Sequence, residues 1–307
     1  MTTTVSTFFA FERSRLDIVR IQAEFVELQR QTASGLVADD LAGFGTNAGA
    51  LLNARTLVAD ASARAEAARL IEPRLATQDS AFSQLDGAVL GAFQAVETAL
   101  AADDARALRS ELETAFGQAV QALNQSFGGV FLFGGERTDR SPLTISTLDE
   151  LLGLPDAASA FNNSARAQTF DLGGGASAEL APTASALAEP FFTALRDLAT
   201  FLDAQSELEA PLSPAQQDTL INALAPLRNA RDTVLQAQGD NGLLQNRVED
   251  FALFQEQRRD LFTSALGGIA DVDLAEVAAR LSATTSQFQA AAEVFSQVSN
   301  LSLLDFL

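Results

Sequence analysis

The sequence predicts a mainly α protein: an elongated rod of long helices, with paired terminal coiled-coil helices and a small β-containing insert. Three observations carry this. Apolar residues recur at alternating intervals of three and four at both ends of the chain. The same spacing continues through residues 57–99. Between residues 142 and 185 that period is lost and proline and glycine take its place. A repeat of this kind puts an apolar stripe along one side of a helix, and the stripe needs another helix to cover it.

The C-terminal stripe runs Leu274, Val277, Leu281, Thr284, Phe288, Ala291, Phe295, Val298, with Thr284 its one polar member. Asp271 or Asp273 can cap the start of this helix, and Glu276 falls in the first turn, where the helix dipole favours an acid. The N-terminal stripe is Phe11, Ser14, Ile18, Ile21, Phe25, Leu28, broken at Ser14. A second row, Leu16, Val19, Ala23, Val26, lies beside it. The combined face is wider than a two-helix seam requires, which points to more than one neighbour.

The interior follows in order. A long helix is expected over about Thr46–Ala102, with Arg64 and Gln78 breaking its stripe and Pro73 kinking or splitting it. A second is expected from Ala105 to Phe127, stopped by Gly128-Gly129. Phe131-Leu132-Phe133 reads as a strand or turn wedged against helices. In the insert, Thr169–Leu172 and Ala178–Leu180 pair as short strands around Gly173-Gly174-Gly175. Helix resumes over Leu187–Leu202. The last interior helix starts with Ser213 as cap and Pro214 at its first position, and ends before Gly267-Gly268. The expected division is residues 1–45 and 270–307 as inner terminal helices, 46–141 and 186–269 as a helical rod, and 142–185 as the insert.

Composition narrows the chemistry. The 307 residues include no Cys, His, Trp or Tyr, and every basic residue is Arg. Thiolate and imidazole catalysis, His/Cys zinc sites and a lysine-dependent phosphate loop are therefore excluded. The net charge of −20 repels nucleic acid and anionic membranes. No run of ~20 apolar residues is present to cross a bilayer, and the first fifteen residues carry no ordinary secretory signal. Asp39-Asp40, Asp103-Asp104 and Asp271-Val272-Asp273 lack calcium-loop spacing and read as caps or surface charge. The glycine groups form no G-x-G-x-x-G and read as turns. Asn124-Gln125-Ser126 matches a glycan acceptor by letter, against its expected helical position. No cofactor, metal or enzymatic activity is expected.

Several runs resemble the flagellin family. Gln29–Leu36 followed by Asp39-Asp40-Leu41-Ala42-Gly43 is similar to the family's helix end at Ser-Gly with a following Asp-Asp-x-Ala-Gly. Asp271-Val272-Asp273-Leu274-Ala275-Glu276 resembles the start of its last helix, Gln245–Glu249 its Gln-Asn-Arg-Leu-Glu, and Ser302-Leu303-Leu304 its closing Ser-Leu-Leu. Gly129–Asp139 with Ser141-Pro142-Leu143, containing Phe131, Leu132, Phe133 and Gly134, is similar to a run of the hook–filament junction members, with Phe131 where Tyr is usual. Leu36-Val37-Ala38 replaces a longer basic stretch, and the Ile-Asn-Thr-Asn opening of filament flagellins is absent.

The resemblance implies a structural subunit of the bacterial flagellum at the junction of hook and filament. It would be exported unfolded by the flagellar type III apparatus, without a cleaved signal, to an extracellular position. It implies as partners copies of itself, a neighbouring hook-associated protein, flagellin and an export chaperone, with no nucleic acid and no membrane insertion. The expected subunit-interface residues are Phe11, Ile18, Ile21, Phe25, Leu28, Leu274, Val277, Leu281, Phe288, Phe295 and Val298. Two other readings use the same stripes: a filament flagellin, and a coiled-coil adaptor or chaperone that grips a partner helix.

Overall fold

The computed structural model describes residues 2–173, 176–205 and 210–304. Its elements in chain order are α1 (Thr2–Ser34), α2 (Ala48–Ala102), α3 (Leu108–Leu123), β1 (Ser126–Phe127), β2 (Val130–Phe131), α4 (Leu148–Leu152), β3 (Thr169–Gly173), β4 (Ala176–Glu179), α5 (Ala184–Asp203), α6 (Pro214–Ala270) and α7 (Leu274–Leu304). The protein is 76% helical, and both sheets are two-stranded and antiparallel. This is the mainly α, long-helix architecture with a small β insert that the heptad spacing predicts.

The chain forms two compact units. One comprises Met1–Ser62 with Glu256–Leu307, the other Ala63–Gln255. In the larger unit α3, α4 and α5 pack on one another, and five phenylalanines, Phe82, Phe116, Phe133, Phe191 and Phe192, are fully buried. Phe192 meets Phe116 at 5.1 Å and Phe161 at 5.2 Å between ring centroids, and Phe82 meets Phe133 edge-on at 5.3 Å. Such pairs add to the burial of their area because ring edges and faces carry opposite partial charge. A second cluster joins Ala68 and Leu75 to Leu244, Val248, Ala252 and Leu180, with Phe170 and Ala178 of the β3–β4 hairpin packed against it. Arg109 links α3, α4 and α5 by ion pairs to Glu113, Asp149 and Asp203.

Side-chain caps start three of the helices. Ser213 caps α6 by accepting from the Gln216 N–H, while Gln216 Oε1 accepts from the Ser213 N–H at 2.8 Å, a reciprocal capping box. Thr147 and Glu150 make the same arrangement at α4. Thr183 caps α5.

Three expectations are corrected. Pro73 does not split α2, which continues through it. Proline removes one hydrogen bond at a cost of about 3 kcal/mol in an open helix, but Leu75 and Gln78, just beyond it, are fully buried and hold the helix against the core. Gly267-Gly268 do not end α6, which runs on to Ala270. Leu266, Ile269 and Ala270 pack in one apolar cluster, and that burial outweighs the glycines' low helix propensity. The helix expected over Ala105–Phe127 is shorter, Leu108–Leu123, because Ser126 and Phe127 are drawn into a hairpin. There Phe127 opposes Val130 and Ser126 opposes Phe131. Gly128 and Gly129, at φ 59° and 81°, supply the two left-handed residues that the tight turn requires.

Candidate assembly surface

In the smaller unit α1 packs against α7. The residues facing each other are those of the two predicted stripes. Leu28 is 4% exposed and Val277 6%. Thr284 is also buried, and Ile18, Ile21, Phe25, Leu281, Phe288 and Phe295 are half-buried. Leu274 is the exception, 54% exposed. It is the first residue of α7, immediately after the capping Asp273. Phe11 and Val298 lie on α1 and α7, and their side chains are outside the described residues, as are Asp305–Leu307 at the end of the closing run.

Covering the seam leaves apolar surface over. Leu16, Val19 and Val26, three of the four residues in the second row on α1, are 63%, 57% and 62% exposed. Phe25, Val26 and Phe288, with Gln22, Thr285 and Gln289, line an open groove of about 550 Å³ between α1 and α7 that carries no charged side chain.

The base of this helix pair is a clasp. Gly35, at φ +71°, ends α1 and donates its N–H to the Gln31 carbonyl at 2.9 Å. The chain then runs extended against the α6–α7 connection. Val37 N–H donates to the Ala270 carbonyl at 2.8 Å, and Val272 N–H to the Gly35 carbonyl at 3.0 Å, so that Leu36 and Asp271 form an antiparallel bridge. The two runs singled out in the sequence, Ser34-Gly35-Leu36 and Asp271-Val272-Asp273, are thus each other's partners. Beneath them Ala38, Phe44, Leu51 and Ala270 form a small apolar cluster. Asp273 caps α7, its Oδ1 accepting from the Ala275 N–H at 2.8 Å and the Glu276 N–H at 3.2 Å. Glu276 pairs with Arg280 one turn on.

Arg30 holds the clasp from the α1 side. Its guanidinium donates to Glu27, to Asp39 at 2.6 Å and to the Val37 carbonyl at 2.7 Å. The Arg30 hydrogen bond holds the Glu27 carboxyl below the usual carboxylate range, and Glu27 in turn raises the Arg30 pKa. Sequence reading passed over Arg30. Its one local signal is the Glu27–Arg30 spacing, and its partners beyond residue 36 are set only by the turn at Gly35.

The run Phe131–Gly134 lies in the other unit and is structural there. Leu132 and Phe133 are buried, and Phe131 is half-buried. The Phe133 carbonyl accepts from Ala184 N–H at the start of α5, and the Gly134 carbonyl from Ser164 N–H. A Cβ on Gly134 would lie 2.1 Å from the Arg137 carbonyl oxygen, so only glycine fits. Asn124, the acceptor by letter, donates its side-chain amide to the Leu143 carbonyl and accepts from the Leu143 N–H, which fixes the loop after the hairpin. Among the described residues no cluster of three or more acids is placed to hold a metal, and no helix is long and apolar enough to cross a membrane.

The two terminal helices thus close on each other through a two-ended clasp and leave an apolar row on α1 outside. Residues 224–307, covering most of α6 and all of α7, match the family model of the bacterial flagellin C-terminal helical region. The chain also shares its fold with solved flagellar proteins. One, assigned as a flagellar hook-associated protein from Vibrio parahaemolyticus, superposes with a TM-score of 0.59 at 16% identity over 75% of this chain and 98% of its own. Another, Bacillus cereus FlgL, gives 0.53 at 14% identity over 71% and 98%. No curated protein sequence matches.

Proposed function

We propose that this chain is a structural subunit of the bacterial flagellum that forms the junction between hook and filament, through packing of its terminal helices with those of neighbouring copies. One observation carries the reading: α1 and α7 cover each other's seam, yet Leu16, Val19 and Val26 remain exposed beside it. Burying apolar area yields ~25 cal/mol per Å² before ordering costs, so this row drives further helices onto the pair. The flagellin-type C-terminal region, the hook-associated fold of the neighbours and the Gly129–Leu143 run support the flagellar setting and favour the junction over the filament.

In this reading residues 1–45 and 270–307 are the assembly elements. In the free chain they are held only by their own seam and clasp, and they order fully when copies cover them. The chain leaves the cell unfolded through the flagellar type III apparatus, helped by the absence of cysteine. Its neighbours are copies of itself, a second hook-associated protein and flagellin. The test is a deletion strain. Intact hooks with filament subunits shed into the medium are expected, and a chain lacking residues 274–307 should not restore attachment. Normal filament attachment in the deletion strain would overturn the proposal, and loss of the filament subunit itself would point to a filament flagellin.

A further inference from the structure

Arg74, on α2 in the larger unit, is unlike the other half-buried arginines. Arg30, Arg109 and Arg231 are covered to a similar degree, and each holds at least one carboxylate. Arg196, half-buried as well, donates to the Leu154 and Pro155 carbonyls. Arg74 has one neutral acceptor, the side-chain oxygen of Gln168 just ahead of β3. Its Nε is buried and meets no acceptor, and no carboxylate pairs with it among the described residues. Burial therefore lowers the Arg74 pKa from the ordinary arginine value with nothing to restore it. The position lies on an open face. Ala63, Ala67, Leu70 and Arg74 follow at intervals of four, three and four, which sets them in one row along α2, beside the stripe that packs inward. Ala63 and Ala67 are exposed, and Leu70 is 67% exposed. An apolar row thus leads up to a cation that its own chain does not neutralise.

A partly desolvated guanidinium loses hydration that only an opposite charge returns. A small free anion would supply the charge but leave Leu70 in water. It would also meet the field of a chain of net charge −20 with no apolar burial to offset the repulsion. A second copy supplies both needs. With 40 acids against 20 basic residues, every chain has carboxylates to spare, and its surface is large enough to cover the row. We infer that the row from Ala63 to Arg74 is a contact between copies of this chain, in which Arg74 takes a carboxylate of the second copy and Leu70 is buried beside the pair. Arginine suits such a half-dry place because its guanidinium is more weakly hydrated than an ammonium and stays charged. The inference rests on the reading of the chain as an assembling subunit, and adds to it a contact made by α2 of the larger unit rather than by α1 and α7.

The test replaces Leu70 of the full-length protein with the photo-crosslinker benzoylphenylalanine, and Val19 in a parallel sample. Isotopically heavy and light chains are mixed, so that mass spectrometry separates adducts between copies from adducts within one. The Leu70 probe is expected to give adducts between copies whose yield rises with protein concentration. Arg74→Gln should cut that yield about tenfold, as for loss of a hydrogen-bonded charge pair, and Arg74→Lys, which keeps the charge, should retain most of it. Circular dichroism checks that both variants keep their helix content. Adducts confined to one chain, an unchanged yield in Arg74→Gln, or an equal loss in Arg74→Lys would each overturn the contact. So would a saturable shift of the Arg74 Nε–H signal with inorganic phosphate and no adduct between copies. Adducts from Val19 without any from Leu70 overturn this contact and leave the terminal-helix reading standing. Adducts from Leu70 without any from Val19 do the reverse, and none from either overturns both.

Discussion

At the scale of single residues the structure separates positions that pack from positions that clamp. Phe133 is buried against Phe82, and Phe133→Ala should cost the larger unit about 3–5 kcal/mol, the usual range for emptying a core aromatic, read as a fall in the denaturant midpoint. Arg30 belongs to the second kind. Arg30→Met should leave the global midpoint almost unmoved and accelerate amide exchange at Val37, whose carbonyl the guanidinium holds. The same clamp sets an acid response. Glu27 has a depressed pKa in the folded chain, so its contribution is fully present above the ordinary glutamate range and fades as pH falls through the depressed value. Val37 exchange, corrected for its intrinsic pH dependence, should therefore rise only below about pH 4, and this step should vanish in Arg30→Met.

At the scale of elements, the helix end at Gly35 was legible through the family resemblance, while the heptads, the cap at Ser213 and a cap at Asp271 or Asp273 were legible because each depends on residues within one turn of helix. The hairpin strands Thr169–Leu172 and Ala178–Leu180 were legible for the same reason. Gly267-Gly268 misled, and Pro73 does not split its helix, because a local preference of ~1–3 kcal/mol is overridden by burial that only the tertiary partners supply. Arg30 gives a local signal only through Glu27, since its bonds to Val37 and Asp39 depend on the turn at Gly35. Asp273→Ala should cost α7 about 1 kcal/mol and loosen its first turn, seen as faster exchange at Ala275 and Glu276 with the α1 seam retained.

At the scale of the molecule, the two units differ in what holds them. The larger encloses five fully buried phenylalanines, whereas the apolar cluster at the base of the smaller is built on Ala38, Phe44, Leu51 and Ala270. Calorimetry on dilute protein should show the smaller unit melting first, and removal of residues 274–307 should leave the upper transition in place. The charge of −20 opposes association of like chains while the exposed row on α1 favours it. Self-association followed by sedimentation should therefore strengthen as salt is raised from about 0.01 to 0.5 M, where screening shortens from ~30 Å to only a few ångströms. A Leu16→Gln/Val19→Gln/Val26→Gln variant should lose that response without losing helix content.

Leu36 and Asp271 are 235 positions apart, yet they bond backbone to backbone. A latch spanning that distance acts as a clock. Whichever end of the chain is made first must wait for nearly the whole polypeptide before its counterpart exists. Closure of the latch therefore reports that the intervening chain is present.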